Sequence, residues 1–263
     1  MAGRRKRTSW EIQQAVVFAL MMRELKTRFG SYRLGYLWAL LEPLSHVAVF
    51  VIIFGVIMER TMAGISYPVF LITGIMPWLL FSNILNRGMV AVKSNAALFG
   101  YRQVKPMDTI VTRTILEVLI QLLVFAVILV GAVWIGHEIA IVDPFRVLAA
   151  LGALVAFSFG TAICLCIAAT LHPELSKLLP MLLRPLYFMS GIFWSLGSIP
   201  QEYHPYLTWN PLLHVIEEIR AGFFAGYSLS SDVSMGYVAI LAVTVIALGM
   251  ALYRQEKERL VAT

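Results

Sequence analysis

Four stretches of this chain run 20 residues or more without Asp, Glu, Lys or Arg: Thr61 to Asn86 (26 residues), Val118 to His137 (20), Val147 to Pro173 (27) and Val233 to Tyr253 (21). A helix needs about 20 apolar residues to cross a bilayer core, and every backbone polar group inside lipid must be paired within the segment. Such runs commit the chain to helices in a membrane. Two more runs carry one charge each: Leu34 to Met58 holds Glu42, and Leu178 to Gln201 holds Arg184. The sequence therefore reads as an all-α integral membrane protein, a single domain over 1–263 with six transmembrane helices. They are expected at 34–58, 68–92, 108–135, 147–170, 178–195 and 233–253. Composition agrees, with 59% hydrophobic and 14% charged residues, against roughly 25% charged in soluble domains. A water-soluble globule and a disordered chain are both excluded. Cys164 and Cys166, two apart in an apolar run, make neither a zinc quartet nor a disulfide framework.

The net charge is +6. The cations alternate with long apolar runs instead of forming a basic patch, so nucleic acid is not an expected partner. With six spans, sixteen Lys and Arg fall on the side of the termini: eight in residues 1–33, then Lys93, Arg102, Lys105, Arg113, Lys177, Arg254, Lys257 and Arg259. Three, Arg60, Arg146 and Arg220, fall on the other. By the positive-inside rule both termini are expected in the cytoplasm. Residues 9–29 place Trp10, Ile12, Val16, Val17, Leu20 and Leu25 at mostly helical spacing among polar residues, as in an amphipathic helix on the inner leaflet. Arg23, Glu24, Lys26 and Arg28 are more charge than anchoring requires and fit a surface that docks a cytoplasmic partner. The segment 196–231 holds Pro200, Pro205 and Pro211, then an apolar helical pattern with Glu217, Glu218 and Arg220 near its middle. It is too short and too punctuated to span and reads as a re-entrant or interfacial hairpin on the outer face; a re-entrant backbone needs protein or a water-filled cavity around it.

There is no phosphate loop, no G-x-G-x-x-G and no H-E-x-x-H, and the five histidines are dispersed. The chain carries no recognisable motor and no metal site. The informative charges are those at membrane depth, because each costs about 2.5–3.5 kcal/mol there. They are Glu42 and His46, four apart on one helix face, with Arg87, Glu117 and Arg184.

The run Arg23-Glu24-Leu25-Lys26-Thr27-Arg28-Phe29-Gly30, followed by Leu34-Gly35-Tyr36-Leu37-Trp38 and Leu41-Glu42-Pro43, resembles the N-terminal signature of type-2 ABC exporter permeases that move lipid-linked polysaccharides. Within that group the chain is similar to the inner-membrane permeases of capsular polysaccharide export. Ser66-Tyr67-Pro68-Val69-Phe70-Leu71, Tyr101 to Ile110, Arg184-Pro185-Leu186-Tyr187-Phe188 and Trp209-Asn210-Pro211-Leu212 extend the match over nearly the whole chain. The resemblance implies an inner-membrane homodimer joined by two separate ATPase subunits, with no cofactor in this chain and ATP and Mg bound by the ATPase. It implies transport of a lipid-linked polysaccharide, with a periplasmic adaptor and an outer-membrane exporter beyond. An O-antigen or a teichoic acid is the alternative cargo, and a membrane transferase acting on lipid-linked sugars is the rival of another class.

It further implies an interface helix at 9–29 and a cytoplasmic coupling helix at 94–106. Arg23, Lys26, Arg28, Leu98, Phe99, Tyr101, Arg102 and Lys105 are then the residues expected to meet the ATPase. Sugar rings rest their C–H faces on aromatic rings while their hydroxyls need polar partners. On that chemistry the expected path is Tyr32, Arg33, Tyr36, Trp38 and Glu42 at the inner mouth, then Trp78 and Phe81. It continues with Arg184, Tyr187 and Trp194 and ends at Tyr203, Tyr206 and Trp209.

Overall fold

The computed structural model describes residues 8–30, 35–57, 65–139 and 141–262; Tyr32, Arg33 and the side chain of Tyr36 lie outside the described residues. The described chain is helical, in the order α1 (Ser9–Phe29), α2 (Trp38–Phe50), α3 (Tyr67–Met89), α4 (Ala91–Ser94), α5 (Pro106–Trp134), α6 (Pro144–Leu171), α7 (Leu175–Met189), α8 (Pro211–Phe223) and α9 (Met235–Ala262). Local chemistry sets the boundaries. Thr8 caps α1 through its hydroxyl on the Glu11 N–H, and the Glu11 carboxylate accepts the Thr8 N–H in return. Asp143 and Asn210 cap α6 and α8, each followed by a proline at the first helical position, where no N–H is needed.

Four of the helices are long and apolar enough to cross a membrane: α3, α5, α6 and α9. The other two expected spans are built differently. α2 has 13 residues and continues as a π-helical stretch, Val51–Ile57. α7 has 15 residues and stops at Met189, short of the expected 195. The chain turns there at Gly191, whose φ of 72° only glycine adopts freely. The segment 94–106 is not one continuous helix. It follows the single turn of α4 with a short 3-10 turn, Ala96–Leu98, and then bends, because no apolar stripe there is long enough to seat a helix.

α3 is the central element, with Phe70, Leu71, Ile75, Met76, Leu80 and Ile84 inaccessible or nearly so. α6 lies between α3 and α9, and small residues let the backbones approach: a Cβ at Gly88 would sit 2.7 Å from the Ala162 Cβ, and one at Gly160 would sit 2.7 Å from the Ile246 N. Contacts at both ends set the directions. Residues near Arg28 contact the end of α3 and the middle of α5, while α8 meets the beginnings of α3 and α6. α2, α5 and α7 thus run from the α1 end to the α8 end, and α3, α6 and α9 run back.

Candidate functional site

At one end of the bundle, α1 is fastened by polar bonds that line up with two neighbours. Gln13 Nε2 donates to Asp108 Oδ1 at 2.6 Å and Arg23 Nη1 to Asn95 Oδ1 at 2.9 Å. Arg113 Nη2 meets Glu24 Oε1 at 2.9 Å, and its Nη1 donates to the Arg87 carbonyl at 2.7 Å. Glu117 Oε1 accepts from both Arg28 Nη1, at 2.6 Å, and Arg87 Nε, at 2.9 Å. A carboxylate 3% exposed would be costly alone, and two guanidinium groups compensate it. Burial pushes the Arg28 guanidinium below its ordinary pKa, and the Glu117 charge opposes the shift. The carboxylate of Glu24 and the guanidinium of Arg28, four apart on α1, engage Arg113 and Glu117, four apart on α5, so two helical turns lie in register.

Beside this lock opens a mouth pocket of about 400 Å³, walled by Arg28 and Phe29 of α1, Trp38, Ala39 and Glu42 of α2, and Arg87 of α3. Further along α2 and α3 a second hollow of about 270 Å³, the cleft between α2, α3 and α7, is lined by His46, Trp78, Ser82, Asn86, Arg184 and Tyr187, among others. Spacing explains the stripe: Glu42 and His46 share one face of α2, Trp78, Ser82 and Asn86 one face of α3. His46 Nε2 lies 2.7 Å from the Tyr187 hydroxyl, so the imidazole is held by α7 and not by Glu42. Trp78 packs edge-on against Tyr187 with centroids 5.2 Å apart, and beyond it Phe50, Phe54 and Phe193 complete an aromatic end. The mouth pocket thus offers charged groups, and the cleft of α2, α3 and α7 offers hydroxyl, amide and imidazole groups beside aromatic faces.

At the other end, α8 is enclosed by protein. Its residues 212–220 are all buried, and Gly222 O accepts the N–H groups of Val142 and Asp143. Arg220, with 0% exposure, is the centre of this region. Its Nη1 donates to the carbonyls of Gly191, at 2.6 Å, and Trp194, at 3.0 Å, and its Nη2 to that of Ile192, at 2.8 Å. Its guanidinium carbon lies 3.5 Å from the centroid of the Phe70 ring. Glu217 Oε1 faces Arg220 Nη1 at 3.4 Å and accepts from the Leu196 N–H and the Tyr227 hydroxyl. Arg220 thus satisfies the backbone carbonyls of the turn after α7 from within the protein.

The expected path residues are therefore only partly gathered. Trp38 and Glu42 wall the mouth, and Trp78, Arg184 and Tyr187 line the hollow beyond it. Phe81 is 4% exposed and stacks on Phe157 of α6, with its ring beside Trp78 but outside the lining of the hollow. Trp194 sits in the turn held by Arg220. Tyr203, Tyr206 and Trp209 are exposed at the α8 end.

Among the residues expected to meet the ATPase, Arg23 and Arg28 hold α1 to the bundle, while Lys26, Tyr101, Arg102 and Lys105 are exposed. Leu98 and Tyr101 line an apolar groove of about 580 Å³ against α1. Phe99 is buried with Ile110, Ile163 and Tyr253. The pairings of Glu117, Glu24 and Arg220 were not anticipated; the i, i+3 pair of Glu217 and Arg220 within an apolar helix was the one local signal of the last.

These features lie within a region that matches a known family: residues 15–224 match the ABC-2 type transporter family. The chain belongs to that family. Over 258 residues, 98% of this chain and 99% of the relative, it is 43% identical to the polysialic acid transport protein KpsM of Escherichia coli. It is 28% identical over 240 residues to the capsule polysaccharide export inner-membrane protein CtrC of Neisseria meningitidis, covering 91% and 90% of the two chains. It is 26% identical over 239 residues to the O-antigen export system permease protein RfbA of Klebsiella pneumoniae, covering 90% of each. The part shared with the ABC-2 transporters ends one residue beyond α8. Apart from Gln13 and Tyr227, the fastening of α1, the cleft and the Arg220 knot belong to it.

Proposed function

We propose that this chain is the membrane-spanning channel subunit of an ATP-driven exporter that moves lipid-linked capsular polysaccharide across the bacterial inner membrane. The observation that carries the reading is near-full-length identity of 43% to a relative named for polysialic acid transport. Relatives named for capsule export match at 28%, and one named for O-antigen export at 26%, which favours a capsular cargo over an O-antigen or a teichoic acid. The chain works as a transport subunit and not as an enzyme. ATP and Mg belong to two separate ATPase subunits, met by the exposed Lys26, Tyr101, Arg102 and Lys105. Two copies of the chain form the channel, with a periplasmic adaptor and an outer-membrane exporter beyond it.

In this reading the chain makes six crossings, α2 with its π stretch and α7 joining the four long helices, and the sixteen-to-three bias of Lys and Arg supports cytoplasmic termini. The polymer path begins at the cleft of α2, α3 and α7, which offers hydrogen-bonding groups beside aromatic faces and one exposed cation, Arg184. Arg184→Ala is a direct test, because the side chain is exposed and its loss opens no core cavity. At matched expression, surface polymer should fall several-fold while polymer accumulates inside and the complex with the ATPase stays assembled. Export at the wild-type level, or a loss of export that always accompanies loss of assembly, removes Arg184 from the path.

A further inference from the structure

We propose that the last two turns of α9 position the 94–106 segment for the ATPase, with Leu260 as a positioning residue that acts through the apolar cluster around Phe99. The inference rests on the reading that Tyr101, Arg102 and Lys105 meet the ATPase, and it concerns a helix beyond the residues 15–224 shared with the ABC-2 transporters. The course of α9 is the first ground. Its charge-free run ends at Tyr253, yet the helix continues through Arg254-Gln255-Glu256-Lys257-Glu258-Arg259 to Leu260, about 10 Å farther at 1.5 Å per residue. The lipid core does not require those turns. A polar run near a chain end frays unless a contact ties it down. Leu260 is the tie: it is 1% exposed, while Arg254, Gln255, Lys257 and Glu258 are exposed. Tyr253, Glu256 and Leu260 stand at i, i+3 and i+7 on one face of the helix, the face turned to the bundle.

What the tail is tied to is the second ground. Leu260 and Tyr253 share one buried cluster with Val92 of α4, Phe99 and Ile110 of α5, and Val104 packs against it. The 94–106 segment has little regular structure of its own, only the end of α4, the 3-10 turn Ala96–Leu98 and bends. No continuous ladder of backbone bonds fixes its shape, so side-chain anchors must do so. Two of them are polar and lie near its ends: Asn95 accepts from Arg23 of α1 at 2.9 Å, and the Lys105 N–H donates to Asp108 Oδ2 at 2.9 Å. Its middle is anchored by Phe99, 8% exposed, in the cluster that Leu260 shares. Tyr101 and Arg102, which follow Phe99 by two and three residues, are exposed. A loosened Phe99 therefore displaces the groups offered to the ATPase while the spans and the ion pairs of α1 stay in place.

The test pairs hydrogen exchange of the full chain, read by mass spectrometry, with its binding of the ATPase subunit of the same exporter, purified separately. Leu260→Ala should speed exchange at 95–104 about tenfold, leave exchange at 212–222 unchanged and weaken ATPase binding about tenfold. Leu260→Met, which refills the site, should restore both. Leu248→Ala, at a side chain 53% exposed on the same helix, should change neither. Unchanged exchange at 95–104 in Leu260→Ala, equal acceleration at 95–104 and 212–222, or faster exchange at 95–104 with wild-type ATPase binding would each overturn the proposal while the transport reading stands. An ATPase that the wild-type chain itself does not bind would overturn the transport reading, and this proposal with it.

Discussion

Replacing Arg220 by alanine removes more bonds than any other single truncation among the described residues. The guanidinium supplies three hydrogen bonds to the carbonyls of Gly191, Ile192 and Trp194, stacks on Phe70 and faces Glu217, all without solvent. Without it the carbonyls lose their donors and Glu217 becomes a buried carboxylate with no cation. Breaking a buried pair by removing one partner costs about 3–5 kcal/mol. At about 2–4 °C per kcal/mol for a chain of this size, the transition should fall by roughly 6–20 °C. The protein carries its own reporter, since Cys166 is buried and Cys164 half-buried in α6, so a maleimide dye should label them as the bundle opens. Arg146→Ala is the control. Its pair with Glu218 is the shorter of the two, 2.5 Å against 3.4 Å, but its side chain is 39% exposed, and pairs of that kind contribute about 0–1 kcal/mol. Equal shifts for the two variants, or a shift under about 3 °C for Arg220→Ala, would refute the assignment of Arg220 as the tie between α8 and the turn after α7.

Two histidines at the α8 end should respond to pH in opposite directions. His204 has acceptors on both sides, Asp232 Oδ2 at 2.5 Å and the Ile199 carbonyl at 3.0 Å, so only the imidazolium satisfies both. The bond to Asp232 raises its pKa above 6.5, and its contribution is complete below 6.5 and lost as pH rises through the raised value. His214 accepts the Ser234 N–H on Nδ1 and donates to the Thr208 carbonyl, so it must be neutral; burial lowers its pKa, and its contribution is complete above 6.5 and lost as pH falls through the lowered value. Protection from hydrogen exchange at 199–234, taken relative to the intrinsic rate at each pH, should be greatest near pH 6.5, with His204→Gln flattening the alkaline limb and His214→Gln the acid limb; identical profiles in all three proteins would reject the pairings. Gly160→Ala puts a Cβ 2.7 Å from the Ile246 N and should cost about 1–3 kcal/mol by thiol-reactivity melting, while Gly152→Ala on the same helix, with open space around it, should cost nothing.

Much of the helical layout was legible because it rests on local chemistry. The 9–29 helix is bounded by Thr8 with Glu11 and by Gly30, and α8 starts at Pro211, behind Asn210, where its apolar pattern begins. Each of the four charge-free runs overlaps a long helix, α3, α5, α6 or α9, since lipid enforces a minimum length, although α5 begins well before its run and α9 continues well past its own. What was hidden depends on partners distant in the chain. Glu117 was visible as an acid at the start of a span, but its bonds to Arg28, 89 residues earlier, and to Arg87 exist only once α1 lies across α5. Phe81 and Phe99 look like other aromatics, and only the packing of α3 on α6, and of the 94–106 segment on α9, turns them into the core. The end of α7 was missed because the residues after Met189 stay apolar while Gly191 reverses the chain to meet Arg220.

The way these bonds are distributed bears on how a cleft in such a protein opens. α1 is held to α5 and α3 by ion pairs, and α8 is enclosed by α3, α6 and α9, so both ends of the central helices are tied by groups that are costly to separate. α2 and α7, which frame the cleft, are held differently. α2 buries only Pro43 and Val47, and α7 only Leu179, Leu183 and Tyr187, one residue per turn on a single stripe. Their one polar cross-link among the described residues is the His46–Tyr187 bond, worth about 1 kcal/mol. Separating α2 from α7 therefore exposes few side chains and breaks one bond, whereas moving α1 or α8 breaks several. The low-cost motion is a widening between α2 and α7, and it lies at the hollow where Arg184, Ser82, Asn86 and Trp78 face one another.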